Sequence, residues 1–229
     1  MKAGTYKRSA QAGFTLVEIA IVLVIIGLLL GGILKGQEMI TQAKIKNIIN
    51  DFNGVTAAVY SYQDRYRALA GDDPGATRWA GAAAGTGDGV WTSSGTPATA
   101  YKVNLAAAPT NADEPNLFWW HLRLAGFVPG ATTGIPAGAQ PNNAVNGIVG
   151  VETGTGAATL GFASNIICTT NLPDKIAISV DTQMDDGSSI SGQVRAVKQT
   201  GPNPDLAAVP AANAYVEDGV SQYTLCKNL

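Results

Sequence analysis

An almost unbroken apolar run extends from Phe14 to Leu34, with Glu18 its only charged residue. Those positions make 21 residues, roughly 31 Å as a helix, which matches a bilayer hydrocarbon core of about 30 Å. Beyond Leu34 the pattern becomes periodic: Ile45, Ile48, Phe52, Val55, Val59, Tyr62, Tyr66 and Leu69 recur at alternating steps of three and four. This spacing puts them on one helix face, held against a partner surface. Lys44, Lys46, Asn50, Asp51, Asp64 and Arg65 fall on the other faces. Gly71-Asp72-Asp73-Pro74 then supplies a stop, because Pro74 cannot continue a helix and Gly71 can take the left-handed cap. One helix is therefore predicted over 14–70, 57 residues and roughly 85 Å if straight.

From Gly71 onward Gly, Ala, Thr, Asn and Pro separate short apolar stretches, the pattern of a loop-rich head. Glu114 to Gly126 predicts a short helix with Asp113 or a neighbour as cap, Pro115 in the first turn and Gly126 at the end. Strands are expected at Gly147–Glu152, Ala158–Cys168, Gly192–Lys198 and Tyr215–Cys226. Leu172 to Met184 fits two periods. Leu172, Ile176, Val180 and Met184 suit a helix, whereas Ile176, Ile178, Val180 and Thr182 alternate like a strand. Asn171 as cap and Pro173 in the first turn tip the reading towards helix.

The charge balance changes this picture in one respect. The chain has 15 basic and 17 acidic side chains, net −2, so it has no overall basic field for nucleic acid, which is not expected as a principal partner. Lys2, Lys7 and Arg8 are the only charges before Phe14; without them 12 basic face 17 acidic side chains, net −5. By the positive-inside bias this basic segment stays cytoplasmic and everything after Leu34 lies on the far side, in an oxidising compartment. An ordinary secretory signal is the alternative, but its apolar core would span about 7 to 15 residues and end in a small-residue cleavage site. One histidine and two cysteines exclude His-rich or Cys-rich zinc sites.

Gly13 followed by Phe14-Thr15-Leu16-Val17-Glu18 and the apolar helix resembles the class III signal of type IV prepilins and type II secretion pseudopilins. The motif covers about residues 8 to 36, and the long helix extends the likeness to about residue 70. The resemblance implies that prepilin peptidase cuts between Gly13 and Phe14 and methylates the new amino group of Phe14. It implies that Glu18 attracts the Phe14 ammonium of a neighbouring subunit. Physics supplies an independent reason, because an unpaired carboxylate in an apolar span costs on the order of 3 kcal/mol at mid-membrane. The alternative is a Glu18 that snorkels to the interface. Lys35 stands where many type IVa pilins carry a helix-breaking proline; Gly27, Gly31, Gly32 and Gly36 are the residues that would loosen the helix instead. The likeness also implies a C-terminal disulfide loop between Cys168 and Cys226, the other possibility being two unpaired buried thiols.

The expected fold is α+β and pilin-like: a long N-terminal helix packed against a loop-rich antiparallel β-sheet head with short extra helices. Its parts are a cleaved basic leader at 1–13, the helix at 14–70 (14–34 transmembrane and filament core, 35–70 amphipathic) and a head at 71–229 with the disulfide loop 168–226. Asp88, Asp185 and Asp186, in Gly-containing turns, are weak Ca²⁺ candidates beside ordinary turn roles. His121 sits among Phe118, Trp119, Trp120 and Leu122 with no nucleophile-elbow or metal motif around it, so no enzyme and no cofactor are expected. Tyr60, Tyr62 and Tyr66 are expected to pack the helix, the alternative being an electron-conducting array. The functional expectation is a pilus subunit, major or minor. It would dwell in the inner membrane with its head in the periplasm, then join a filament of like subunits through prepilin peptidase and an assembly platform. The alternatives are a pseudopilin of type II secretion and a membrane-tethered binding domain that never assembles.

Overall fold

The computed structural model describes residues 15–91, 101–102, 114–134, 138–156, 158–206 and 208–229. The chain divides into two compact units at Gln42/Ala43. Helix α1, Leu16–Tyr66, contributes residues to both.

From Leu16 to Leu34 α1 is apolar on every face except at Glu18, and its large side chains there, with Met39 and Ile40, are exposed. It is the one helix among the described residues long and apolar enough to cross a membrane. A side chain built at Gly27, Gly31, Gly32 or Gly36 would meet nothing within 4 Å, so no contact inside the chain demands glycine there, and the helix runs through all four. Lys35 Nζ pairs with Glu38 one turn on, at 2.8 Å, on the exposed surface.

The second unit is α+β. Here the periodic face of α1 becomes the spine of the core: Ile45, Ile48, Phe52, Val55, Ala58, Val59 and Tyr62 are buried, and Tyr66 and Leu69 are partly so. The helix ends at Tyr66, four residues before the expected stop at 70. Arg67 already takes φ 55°, a left-handed conformation that breaks the helical ladder, and Gly71 at φ 92° completes the reversal. Asp73 then caps a 3₁₀ turn, Pro74–Arg78, by accepting the Gly75 N–H at 2.7 Å.

Helix α2, Glu114–Leu124, carries Phe118, Trp119 and Leu122 into the same core, with Gly126 at φ 79° just beyond it. The expected cap Asp113 lies outside the described residues. The antiparallel sheet comprises β1 (Val149–Thr153), β2 (Asn165–Pro173), β3 (Val194–Lys198) and β4 (Gln222–Asn228) in the order β1-β2-β4-β3. Helix α3, Asp174–Met184, follows β2 directly.

Three expected boundaries are corrected. The strand placed at Ala158–Cys168 begins only at Asn165, because Thr159 organises the preceding residues into a turn: its hydroxyl accepts the Thr155 N–H at 2.8 Å, and Leu160 has φ 53°. The strand placed at Tyr215–Cys226 begins at Gln222, because Asp218 Oδ1 accepts the Val220 and Ser221 N–H groups at 2.9 and 2.7 Å and bends the chain. Finally, Leu172 belongs to β2 and Pro173 is the N-cap of α3. Asn171, expected as the cap, instead takes φ 58° at an irregularity in the β2–β4 pairing, and its Oδ1 accepts the Asn203 N–H at 3.1 Å.

Candidate functional site

The start of α1 is built by a reciprocal cap. Thr15 donates its backbone N–H and its hydroxyl to Glu18 Oε2 at 2.9 and 2.8 Å, while its Oγ1 accepts the Glu18 N–H at 3.3 Å. This is a Thr-x-x-Glu capping box, which satisfies backbone donors that the first turn leaves without helical partners. The negative side chain also lies at the positive end of the helix dipole. Sequence reasoning considered Glu18 alone and missed Thr15, although the spacing in Thr15-Leu16-Val17-Glu18 is the signal that reveals the pair. Gly13 and Phe14 lie outside the described residues.

Two further groups of carboxylates converge in the head. Asp72, Asp88 and Glu114 bring ligand-type oxygens within 4.8 Å of one another, as do Asp181, Asp185 and Asp186. Asp88, Asp185 and Asp186 stand in Gly turns legible in the sequence, whereas Asp72, Glu114 and Asp181 join them from segments that carry no such signal. In the first group Asp72 accepts the backbone N–H groups of Gly87, Asp88 and Gly89, the last two at 3.1 and 2.6 Å. The Thr86 hydroxyl lies 3.1 Å from Asp72 Oδ1 and 2.7 Å from Glu114 Oε1. In the second group Asp181 accepts the Tyr215 hydroxyl at 2.6 Å, and Asp185 accepts the Val194 N–H at 2.9 Å. Asp186 accepts from Ser188 N–H and the Ser191 hydroxyl. Oxygen ligands of this kind suit a hard cation such as Ca²⁺. Their observed bonds already explain the geometry as anchors of Gly-rich loops, each loop folded around one carboxylate.

His121 is fully buried. Its Nδ1 accepts the Gly71 N–H at 3.0 Å, which leaves Nε2–H to donate to the Ala83 carbonyl at 2.9 Å. Burial holds the imidazole below its ordinary range. With both ring nitrogens bound to backbone, neither faces a nucleophile. Tyr62 stacks beside the ring at 6.4 Å, and its own hydroxyl donates to Asp73 at 2.6 Å. Tyr60 is exposed on α1.

Cys168 on β2 and Cys226 on β4 are register partners, and their sulfurs are bonded. The bridge joins the two central strands and is itself fully buried.

Residues 8–34 match the family model described as the prokaryotic N-terminal methylation motif. The chain carries the class III signal peptide of type IV pilins and pseudopilins. That signal supports a type IV pilin-like or pseudopilin precursor, and the long helix with its α+β head has the corresponding architecture. The match ends at Leu34, so it covers the apolar part of α1 and none of the head. No curated protein matches the chain.

Proposed function

We propose that this chain is a structural subunit of a type IV pilus, major or minor, cut between Gly13 and Phe14 and polymerised through α1. The observation that carries the reading is the continuity of α1 from the methylation motif into the core of the head. Its apolar residues 16–34 are exposed to the last large side chain. Such a surface is unfavourable in water and calls for lipid before assembly and for neighbouring helices afterwards.

Glu18 fits this sequence of states. In the described chain it has only Thr15 for a partner, and a carboxylate retains lone pairs for a further cation. Cleavage before Phe14 would create that cation as a new amino group, four residues from Glu18 in the chain and available to a neighbouring subunit. Membrane residence with the head on the periplasmic side, processing by prepilin peptidase and recruitment to an assembly platform belong to the same proposal.

Mass spectrometry of the mature protein tests it first: the chain is expected to begin at methylated Phe14, and an intact Met1 terminus would overturn the processing step. Filaments sheared from cells should then contain the chain, while Glu18→Ala should give a processed protein that enters filaments poorly. A pseudopilin of type II secretion would share the motif, the exposed apolar helix and the head. Loss of secreted cargo on deletion, without loss of surface filaments, would select that reading.

A further inference from the structure

The sequence holds five steps in which asparagine or aspartate precedes glycine. At such a step the glycine nitrogen can attack the side-chain carbonyl carbon of the preceding residue, because glycine has no side chain to obstruct the approach. Asn53–Gly54 lies inside α1, where the helical ladder engages the amides. The other four lie in loops of the head, and there each glycine amide donates to a buried carboxyl or carboxamide. Gly89 donates to Asp72 Oδ2 at 2.6 Å and Gly147 to Asn143 Oδ1 at 2.8 Å. Gly187 donates to Asp181 Oδ1 at 3.2 Å and Gly219 to Asp174 Oδ2 at 2.6 Å.

The fold cannot dispense with these glycines. A Cβ at Gly147 would collide with the Thr170 carbonyl, and Gly89, Gly187 and Gly219 take φ 87°, 74° and 73°. At the three aspartate steps the reacting side chain is itself engaged: Oδ1 of Asp88, Asp186 and Asp218 accepts the N–H two residues on, from Val90, Ser188 and Val220. An ionised carboxylate is also the poorer electrophile. Asn146 differs, being exposed and carrying a neutral amide. Its neighbour Asn143 is buried and fully engaged. Oδ1 of Asn143 accepts the Val145 and Gly147 N–H groups, and Nδ2 donates to Thr169 Oγ1 at 2.8 Å and to the Thr170 carbonyl at 2.7 Å.

We propose that Asn143 is a guard residue: by holding the Gly147 amide it keeps Asn146–Gly147, the head's latent deamidation site, from closing to a succinimide. In that reaction the Gly147 nitrogen bonds to Asn146 Cγ and the Cγ–Nδ2 bond breaks. The amide proton leaves with Nδ2 as ammonia, and water then opens the ring at either carbonyl to give aspartate or isoaspartate. The step needs the nitrogen free of its proton and turned towards Cγ. A carboxamide oxygen binds that proton but is too weak a base to remove it, and the bond aims the N–H at Asn143 instead. An isoaspartate would add a methylene to the backbone of a turn that is also closed by the Asn143 N–H on the Gly147 carbonyl at 2.9 Å, just ahead of β1. Asp72, Asp181 and Asp174 hold the other three glycine amides in the same way.

The test incubates the full chain in detergent micelles at neutral pH and physiological temperature and reads deamidation at Asn146 by peptide mass after proteolysis. Folded wild type should deamidate there about tenfold more slowly than the same chain unfolded in guanidinium chloride, the factor by which a hydrogen bond of ordinary net strength reduces the free amide. Asn143→Ala should remove most of that protection while deamidation at Asn53 stays slow, which separates loss of the guard from loss of the fold. Thr169→Val takes one acceptor from Asn143 Nδ2 and leaves Oδ1 on Gly147, so its rate should stay within about twofold of wild type. Equal rates in folded and unfolded wild type would overturn the proposal without any variant. An Asn143→Ala chain as slow as wild type would overturn it too. Equal acceleration by Asn143→Ala and Thr169→Val would do the same, by assigning the protection to loop anchoring.

Discussion

The Gly71 N–H donates to His121 Nδ1 at 3.0 Å, tying the turn after α1 to the last turn of α2. The bond exists only while the imidazole is neutral, because protonated Nδ1 would be a second donor pointing at a donor. His121 is held below its ordinary value in the folded chain, so the unfolded chain takes up the proton first as pH falls. Its contribution to stability is therefore complete above about pH 6.5 and is lost progressively below it. Thermal unfolding of wild type and His121→Gln at pH 7.5 and pH 5 should show the larger loss on acidification in wild type. Equal losses would mean that His121 titrates freely.

A second prediction concerns Asp73, which is 1 % exposed yet charged. Burial pushes its carboxyl up, but hydrogen bonds from Arg78, Tyr62 and Gly75 outweigh burial and hold it below the ordinary value. Arg78 Nη1 reaches Asp73 Oδ2 at 2.6 Å and its guanidinium also lies over the Tyr66 ring, 4.6 Å from the centroid. Arg78→Ala strands the carboxylate and should cost about 3 kcal/mol of head stability. Tyr62→Phe removes one hydroxyl donor and should cost about 1 kcal/mol. Denaturant titration of both variants checks the order; a larger loss from Tyr62→Phe would reverse the assignment of Arg78 as principal partner.

The contrast between α1 and the head shows what the sequence can disclose. Ile45 to Leu69 announced their burial because a 3.6-residue period repeats over seven turns, and the partner surface is this chain's own sheet and α2. The α2 boundaries were similarly plain from Pro115 and Gly126. The strands blurred wherever a side chain, not the backbone period, decides the path: Thr159 and Asp218 turn the chain inside apolar stretches that otherwise alternate like strands. The carboxylate groups were half visible for the same reason. Asp88, Asp185 and Asp186 stand in local Gly turns, whereas Asp72 and Glu114 reach theirs only through long-range folding. Glu152 gave no sequence signal, since its burial and its bond from the Tyr101 N–H, 51 positions away, arise only on folding.

The disulfide yields a third prediction. Cys168 and Cys226 enclose a separation of 58 residues, and closing a loop of that size restricts the unfolded chain by about 4 kcal/mol in the entropic account. The effect should be large here because the bridge joins the two central strands of a four-stranded sheet whose connections are long and Gly-rich. Replacing both cysteines by Ala should lower the midpoint of head unfolding by the equivalent of about 2 to 4 kcal/mol, measured by denaturant titration. An unchanged midpoint would show that the β2–β4 hydrogen bonds alone set the stability of this unit.

Finally, α1 should divide into two stretches with separable roles. Phe52 is 1 % exposed and sits in the head core, so Phe52→Ala removes a fully buried ring and should cost about 3 to 5 kcal/mol of head stability. Leu23 is 64 % exposed, and no core cluster among the described residues contains it. Leu23→Ala should leave head unfolding unchanged within about 0.5 kcal/mol. Under the proposed function it should weaken membrane retention or filament cohesion instead, because an exposed Leu23 would then meet lipid or other subunits. Paired measurements of head unfolding and of filament yield, on both variants, separate the two stretches. A Leu23→Ala chain with a destabilised head would show that the apolar stretch supports the fold, and the exposed surface would then lose its standing as the assembly element.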